Sequence, residues 1–111
     1  MNDTINFEDF VKIDLRVGTI IEVNDFPEAR KSAYLLTIDF GDLGIKKSSA
    51  QITTLYNKEN LLNKQITAVV NFPKKQIAKI MSECLVLVAL GGKEVVLLDL
   101  EKRVPNGSII S

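Results

Sequence analysis

The chain has 111 residues, of which 46% are hydrophobic and 25% are charged. This is the composition of one ordinary globular domain, and it excludes a disordered or collagen-like chain. The longest apolar run spans only residues 84–90, whereas a membrane helix needs about 20 residues, so we expect no membrane insertion. The 14 bases and 14 acids cancel, which argues against strong non-specific binding to nucleic acids.

Missing residue types restrict the chemistry. The chain has no histidine, which excludes nucleophile arrangements that rely on a histidine base. It also has no glycine-rich phosphate loop. Ser48 could be considered as a nucleophile with a lysine base, but nothing in the sequence around it indicates an acyl-transfer site. The single cysteine, Cys84, is either a small buried hydrophobe or a reactive thiol, and it predicts a reducing, cytoplasmic environment. We therefore expect a binding protein without enzymatic activity, metal or other cofactor.

The first half of the chain predicts a short helix and three strands. Asn6 and Asp9 have the spacing of a helix N-cap. Residues 15–23 alternate, with Leu15, Val17, Thr19, Ile21 and Val23 predicted on one face of a long first strand, and Gly18 indicates a bulge or bend within it. After a loop at 24–32, residues 34–40 and 45–52 predict the second and third strands.

The second half predicts a short helix at 57–64, a fourth strand at 65–72, a basic connection at 74–79 and a fifth strand at 83–90. Gly91 and Gly92 then predict a hairpin with residues 94–98, followed by an irregular tail. Three strands, a short helix and two strands is the order of an OB-fold. We therefore predict one mostly-β domain over residues 1–111: a five-stranded OB-fold barrel with a short N-terminal helix, a short helix between strands 3 and 4, and an extra C-terminal hairpin.

Charges are unevenly distributed along the chain. Residues 1–45 contain four bases and nine acids, whereas residues 46–80 contain seven lysines and a single acid. The fold could therefore present one basic and one acidic face, or simply dispersed and solvated lysines. With 6% aromatic residues and no tryptophan, the chain supplies little for stacking single-stranded bases.

Several short strings of the sequence resemble the tRNA-binding-domain family, in its stand-alone, export-related chaperone branch. In chain order they are DLRVGTI at 14–20, FPEARK at 26–31, SSAQIT at 48–53, VNFP at 70–73, SECLVL at 82–87 and VPNG at 104–107. The resemblance covers about residues 6–110. It implies a non-catalytic OB-fold homodimer that binds unfolded or export-bound polypeptides. The alternative it implies is recognition of tRNA shape by a basic face of the dimer. Residues 50–52 read AQI where many tRNA binders have Ser-Gly-Leu, a difference that bears on tRNA affinity rather than on fold.

Nine residues are candidates for contacting a polypeptide or tRNA, and each has a structural alternative. Lys46 and Lys47 must point to opposite faces of their strand, and we favour Lys46 because its neighbours on that side, Ser48 and Ala50, are small. The bases of the loops either contact ligand or are simply solvated, and the residues at strand ends either contact ligand or tie backbone groups. The candidates are Arg30, Lys31, Lys46, Lys47, Asn71, Lys74, Lys75, Ser82 and Glu83. Asp14 and Arg16 share a strand face and are expected to form an internal ion pair.

Overall fold

The computed structural model describes residues 1–111 and contains two short α-helices and ten strands. The helices are α1 (Phe7–Val11) and α2 (Lys58–Leu61). The strands are β1 (Leu15–Asp25), β2 (Tyr34–Asp39), β3 (Ile45–Ala50), β4 (Gln65–Val69), β5 (Lys75–Ile77), β6 (Ile80–Ser82), β7 (Leu85–Val86), β8 (Val88–Gly91), β9 (Glu94–Leu97) and β10 (Ile109–Ile110). No helix is both long and apolar enough to cross a membrane.

Five strands form a nearly closed barrel. Their order is β3-β2-β1-β4-β7, and each neighbouring pair is antiparallel. The two ends of this sheet meet where the Glu83 N–H donates to the Lys47 carbonyl at 2.8 Å. The predicted mostly-β, OB-type barrel with two short helices and an additional hairpin is therefore confirmed, and the extra hairpin is β8–β9.

The barrel interior holds a continuous apolar core to which every barrel strand contributes. Alternate residues of each strand point inward because side chains of a strand alternate between its two faces. The α2 helix contributes Leu61 to this core. The buried members of the core are Ile20, Leu36, Ile38, Phe40, Ala50, Ile52, Leu61, Ile66, Ala68, Cys84, Val86 and Leu97.

Strand β1 departs from the predicted alternation. Its pairing with β2 shifts between Ile20 and Glu22, where the strand has an irregularity of the bulge type. Before the shift Ile20 pairs with Ile38 in the core, and after it Val23 pairs with Leu36 and packs against the same core. Val23 therefore lies on the face of Ile20, so its predicted assignment to the face of Val17 and Thr19 is wrong. The bulge lies at this shift and not at Gly18, where the absence of a side chain instead lets the strand approach Ile38 closely.

Two predicted segments of the second half also need correction. The predicted basic connection is a β-hairpin, because Lys75 pairs with Ser82 and Ile77 with Ile80. The predicted fifth strand is divided, because β7 pairs with β4 whereas β8 turns away to pair with β9. An unbroken apolar run does not reveal that its two halves pair with different strands.

The C-terminal tail is tied to β1 instead of ending irregularly. Ile109 and Ile110 pair with the start of β1. The Thr19 hydroxyl donates to Asn106 Oδ1 at 2.6 Å, and Arg16 Nη1 donates to the Gly107 carbonyl at 3.0 Å. The predicted Asp14–Arg16 ion pair is confirmed, with 2.6 Å between Asp14 Oδ1 and Arg16 Nε.

Candidate functional site

A cleft of about 640 Å³ lies over the outer face of β3. One wall is the loop between β1 and β2, and the other is the β5–β6 hairpin, which connects the fourth and fifth strands of the barrel. These two connections border the usual ligand-binding face of an OB-fold. The lining residues are Glu28, Ala29, Arg30, Lys31, Ala33, Ser49, Gln51, Lys75, Gln76, Ile77 and Ala78.

Three of the predicted candidates meet in this cleft. Arg30 and Lys31 come from the first wall and Lys75 from the second. All three side chains are exposed, and none takes part in the four ion pairs of the structure. The cleft therefore presents three uncompensated cations, apart from the single carboxylate of Glu28 on its rim.

Three other candidates, Lys47, Lys74 and Glu83, form the contacts that close the barrel, and we call this group the Glu83 latch. Glu83 accepts from the Lys47 N–H at 3.0 Å through Oε1, in addition to its own backbone bond to Lys47. Its other carboxylate oxygen lies 3.6 Å from Lys74 Nζ. Glu83 and the Lys47 backbone thus join β3 to the segment before β7, and Lys74 balances the charge of the latch.

Asn71 and Ser82 contact backbone groups of the protein itself, which was the alternative to ligand contact for residues at strand ends. Asn71 Oδ1 accepts from the Asp14 N–H at 2.9 Å, and Asn71 Nδ2 donates to the Lys12 carbonyl at 2.7 Å. These two bonds fix the entry of the chain into β1. The Ser82 hydroxyl lies 3.4 Å from the Cys84 carbonyl. It also lines a small apolar pocket of about 220 Å³ with Phe72, Pro73 and Leu85.

Lys46 has different surroundings from those expected. It lies on the side of β3 that carries Ser48 and Ala50, and both of these residues are buried. Their small size reflects the barrel interior and not an open ligand face. Lys47 lies on the opposite side of the strand, together with Ser49, which lines the cleft.

The interior position of Cys84 makes its thiol a weak acid. Burial raises the pKa of the Cys84 thiol to about 11, while contact with the Ser48 hydroxyl and the charge of Lys46 lower it and the charge of Glu83 raises it. Because the folded state favours the neutral thiol, its contribution to stability is present below pH 9 and is lost as the pH rises toward 11.

We therefore expect the Cys84 thiol of the folded protein to react slowly with iodoacetamide at pH 8, since the thiolate is the nucleophile. The rate should rise steeply only as the pH approaches 11. A variant Cys84→Ala, measured over the same range, should lose less stability between pH 9 and 11 than the native chain. A reactive thiol at pH 8 in the folded protein would contradict the burial of this group.

Sequence reasoning did not identify Ser49, Gln51 or Gln76 as parts of the cleft. Ser49 and Gln51 occupy alternate positions of the same string in which Ser48, Ala50 and Ile52 are buried. The alternation was visible, but which of its two faces points outward was not. The only local signal was the long polar side chain of Gln51 between the apolar Ala50 and Ile52.

No group of three or more metal-binding side chains occurs together in the structure. What the cleft offers is hydrogen-bonding side chains, three cations and a small apolar surface from Ala33, Ile77 and Ala78. Such a surface can bind carboxylates or phosphates and the backbone of an extended polymer.

The family profile of the "Putative tRNA binding domain" matches residues 15–109 of this sequence. The chain belongs to this family. Among solved structures, the chaperone CsaA from Bacillus anthracis is 52% identical with a TM-score of 0.93, covering 98% of this chain and 100% of that chain. The CsaA chaperone protein from Picrophilus torridus is 56% identical with a TM-score of 0.92, covering 97% of this chain and 100% of that chain.

Members of the tRNA-binding-domain family also occur within larger proteins. The methionine–tRNA ligase of Thermococcus onnurineus is 37% identical over 106 residues, which is 96% of this chain but 14% of the ligase. The chain thus spans about one seventh of the length of this curated relative, and the likeness concerns a domain of that enzyme.

Proposed function

We propose that this member of the tRNA-binding-domain family is a non-catalytic chaperone that binds unfolded or export-bound polypeptides. The observation that carries the proposal is the likeness to two CsaA chaperones at 52% and 56% identity over essentially the whole of both chains. The site of capture would be the cleft over β3, with binding and release independent of ATP.

The dimensions and lining of the cleft support capture of a polymer segment. Its volume of about 640 Å³ is in the usual range of ligand-binding clefts. Gln51 and Gln76 can hydrogen-bond a peptide backbone, and the exposed cations can bind acidic side chains. Because the cleft is open and seven of its eleven lining residues are polar or charged, binding would be weak and reversible, as a chaperone without an energy source requires.

A second candidate function is tRNA binding, and it is favoured by the uncompensated cations of the cleft. Arg30, Lys31 and Lys75 converge from both walls at the position where OB-folds bind oligonucleotides. The likeness to a domain of methionine–tRNA ligase points the same way. Phosphate contacts by these residues would give affinity without base specificity.

We further propose that the protein acts in the cytoplasm as a homodimer. Helix α1 has no buried residue, and the ring of Phe7 lies against that of Phe10 in the same helix, with 6.2 Å between the ring centroids. Phe7 is 72% exposed, and Ile109, which lies in the tail strand paired with β1, is 65% exposed. Exposed large hydrophobic side chains of this kind mark interaction surfaces, and a two-fold dimer is the commonest way to cover them.

The test is a competition between tRNA and a permanently unfolded polypeptide, such as reduced and carboxymethylated lactalbumin, for the same purified protein. Sedimentation equilibrium on the same sample gives the oligomeric state, and a dimer is expected at micromolar concentration. The chaperone proposal expects saturable binding of the unfolded polypeptide, with no effect of added ATP. Binding of tRNA together with no measurable binding of the polypeptide would replace the first candidate by the second.

A further inference from the structure

The edge of β3 facing away from β2 is only partly paired. Lys47 directs its backbone N–H and carbonyl away from β2, since both groups bond to Glu83. Backbone groups alternate in direction along an antiparallel strand, so those of Ser49 also point away from β2, and Gln51 is the first residue after the strand. Gln51 makes no backbone hydrogen bond at all. Beyond the Glu83 latch, therefore, Ser49 and Gln51 offer backbone groups without a backbone partner, and the Ser49 carbonyl accepts only a long bond of 3.4 Å from the Ser48 hydroxyl.

Two different surfaces flank this unpaired edge. On the outer side lies the cleft with Arg30, Lys31 and Lys75. On the inner side, where β3 and the β7–β8 segment diverge, an apolar groove of about 270 Å³ opens into the seam of the barrel. Ser49 and Gln51 line both surfaces, and the groove is otherwise lined by Ala50, Ile52, Leu85, Val86, Val88, Leu90 and Val95.

We propose that an extended polypeptide segment pairs with the β3 edge at residues 49–51 as an added strand. Its alternate side chains would then point to opposite sides, as in any strand. One set would enter the apolar groove, and the other would face the three cations of the cleft. The preferred segment alternates apolar and acidic residues. This inference rests on the proposed polypeptide-binding function and specifies its mode.

The free edge also explains selection of unfolded chains. A folded protein has its backbone donors and acceptors engaged in its own secondary structure, whereas an unfolded segment can present them to β3. Main-chain hydrogen bonds provide affinity in strand addition, and pockets for alternate side chains provide specificity. The edge of β3 supplies the main-chain hydrogen bonds, and the groove and the cleft supply the pockets for alternate side chains.

The first test uses a short synthetic peptide of alternating valine and glutamate, blocked at both ends, and two N-methylated versions of it. One version is methylated on every valine nitrogen and the other on every glutamate nitrogen. An added strand bonds to one neighbour through alternate residues only. One version should therefore bind at least about tenfold more weakly than the parent, and the other should bind within about threefold. Which version loses affinity reveals whether the added strand runs parallel or antiparallel to β3.

The second test changes the edge itself. Proline at position 51 removes the free N–H and places a ring at the edge, whereas alanine keeps the N–H. A proline is tolerated on an edge strand where the N–H faces outward. We expect Gln51→Pro to bind the parent peptide at least about fivefold more weakly than Gln51→Ala does, because both variants lose the same side chain and only alanine keeps the N–H. Circular dichroism and thermal unfolding establish that both variants are folded.

The outcomes separate this mode from the function on which it rests. If carboxymethylated lactalbumin binds but the two methylated peptides bind equally, the added strand is wrong while polypeptide binding stands. If neither the lactalbumin nor the parent peptide binds, both proposals fail. Should Gln51→Pro not fold, the comparison of the methylated peptides still decides, because it uses the native chain.

Discussion

Replacing Gly18 by valine should lower the free energy of unfolding by about 3 kcal/mol or more, the upper end of the range for overpacked cores. A Cβ atom at position 18 would lie 2.6 Å from Ile38 Cγ2 and 2.8 Å from two ring carbons of Phe40. Both neighbours are fully buried, so neither can move toward solvent. The two β-branched methyl groups of valine would increase the overlap and force β1 away from β2.

Urea denaturation followed by circular dichroism measures this effect, because the chain has no tryptophan for fluorescence. Gly91→Val is the matched control: Gly91 also lies in a strand, but a Cβ atom there would meet nothing closer than the Glu94 carbonyl oxygen at 3.9 Å. The control should lose less than about 0.5 kcal/mol, as surface substitutions usually do. Equal losses in the two variants would show that Gly18 is not needed for the close approach of β1 to the core.

The second large effect concerns tRNA and the cations of the cleft. In the variant Arg30→Ala/Lys31→Ala/Lys75→Ala, the slope of log affinity for tRNA against log salt should become shallower by about three per bound protomer, one for each lost phosphate contact. Affinity should fall by a similar factor for all tRNAs, since phosphate contacts carry no sequence information. Binding of an unfolded polypeptide should depend much less on salt, because apolar burial contributes more to it.

The control removes the same number of positive charges outside the cleft, in Lys12→Ala/Lys93→Ala/Lys102→Ala. These lysines are exposed and do not line the cleft. If the control flattens the salt dependence as strongly as the cleft variant does, the effect is one of total charge, and the cleft is not the tRNA-binding site. Filter binding over a range of potassium chloride concentrations provides both slopes.

The candidate site was only partly predictable from the sequence. Arg30 and Lys31 follow a proline in a polar loop, and Lys75 lies in a run of lysines, so their exposure could be expected from local composition. Asn71 and Glu83 have the same polar character, yet their side chains bind backbone groups of the barrel. A polar residue at a strand end gives no local indication of whether its partner is the protein or a ligand.

Lys46 shows the limit of reasoning from one strand. Its small neighbours Ser48 and Ala50 fit two interpretations, because small side chains suit a crowded interior and also leave a lysine unobstructed on an open surface. The curvature of the barrel selects the interior: the Ser48 hydroxyl reaches the Cys84 carbonyl at 3.0 Å inside the closing seam. The sequence likewise does not show that the backbone of Gln51 is unpaired, because this depends on how far along β3 the hydrogen bonds to Glu83 extend.

The sequence by itself determined the order and type of most elements. Strands follow from hydrophobic alternation over short stretches, and turns follow from glycine, proline and polar residues between them. It also indicated the family, since the ordered strings at 14–20 and 104–107 are readable without a fold. Tertiary structure alone decided the bulge that turns Val23 toward the core, the division of the apolar run after β7, and the meeting of Arg30 and Lys75 across the cleft. These features depend on pairing between distant segments as the barrel closes, and local periodicity contains no information about which strand a residue will face.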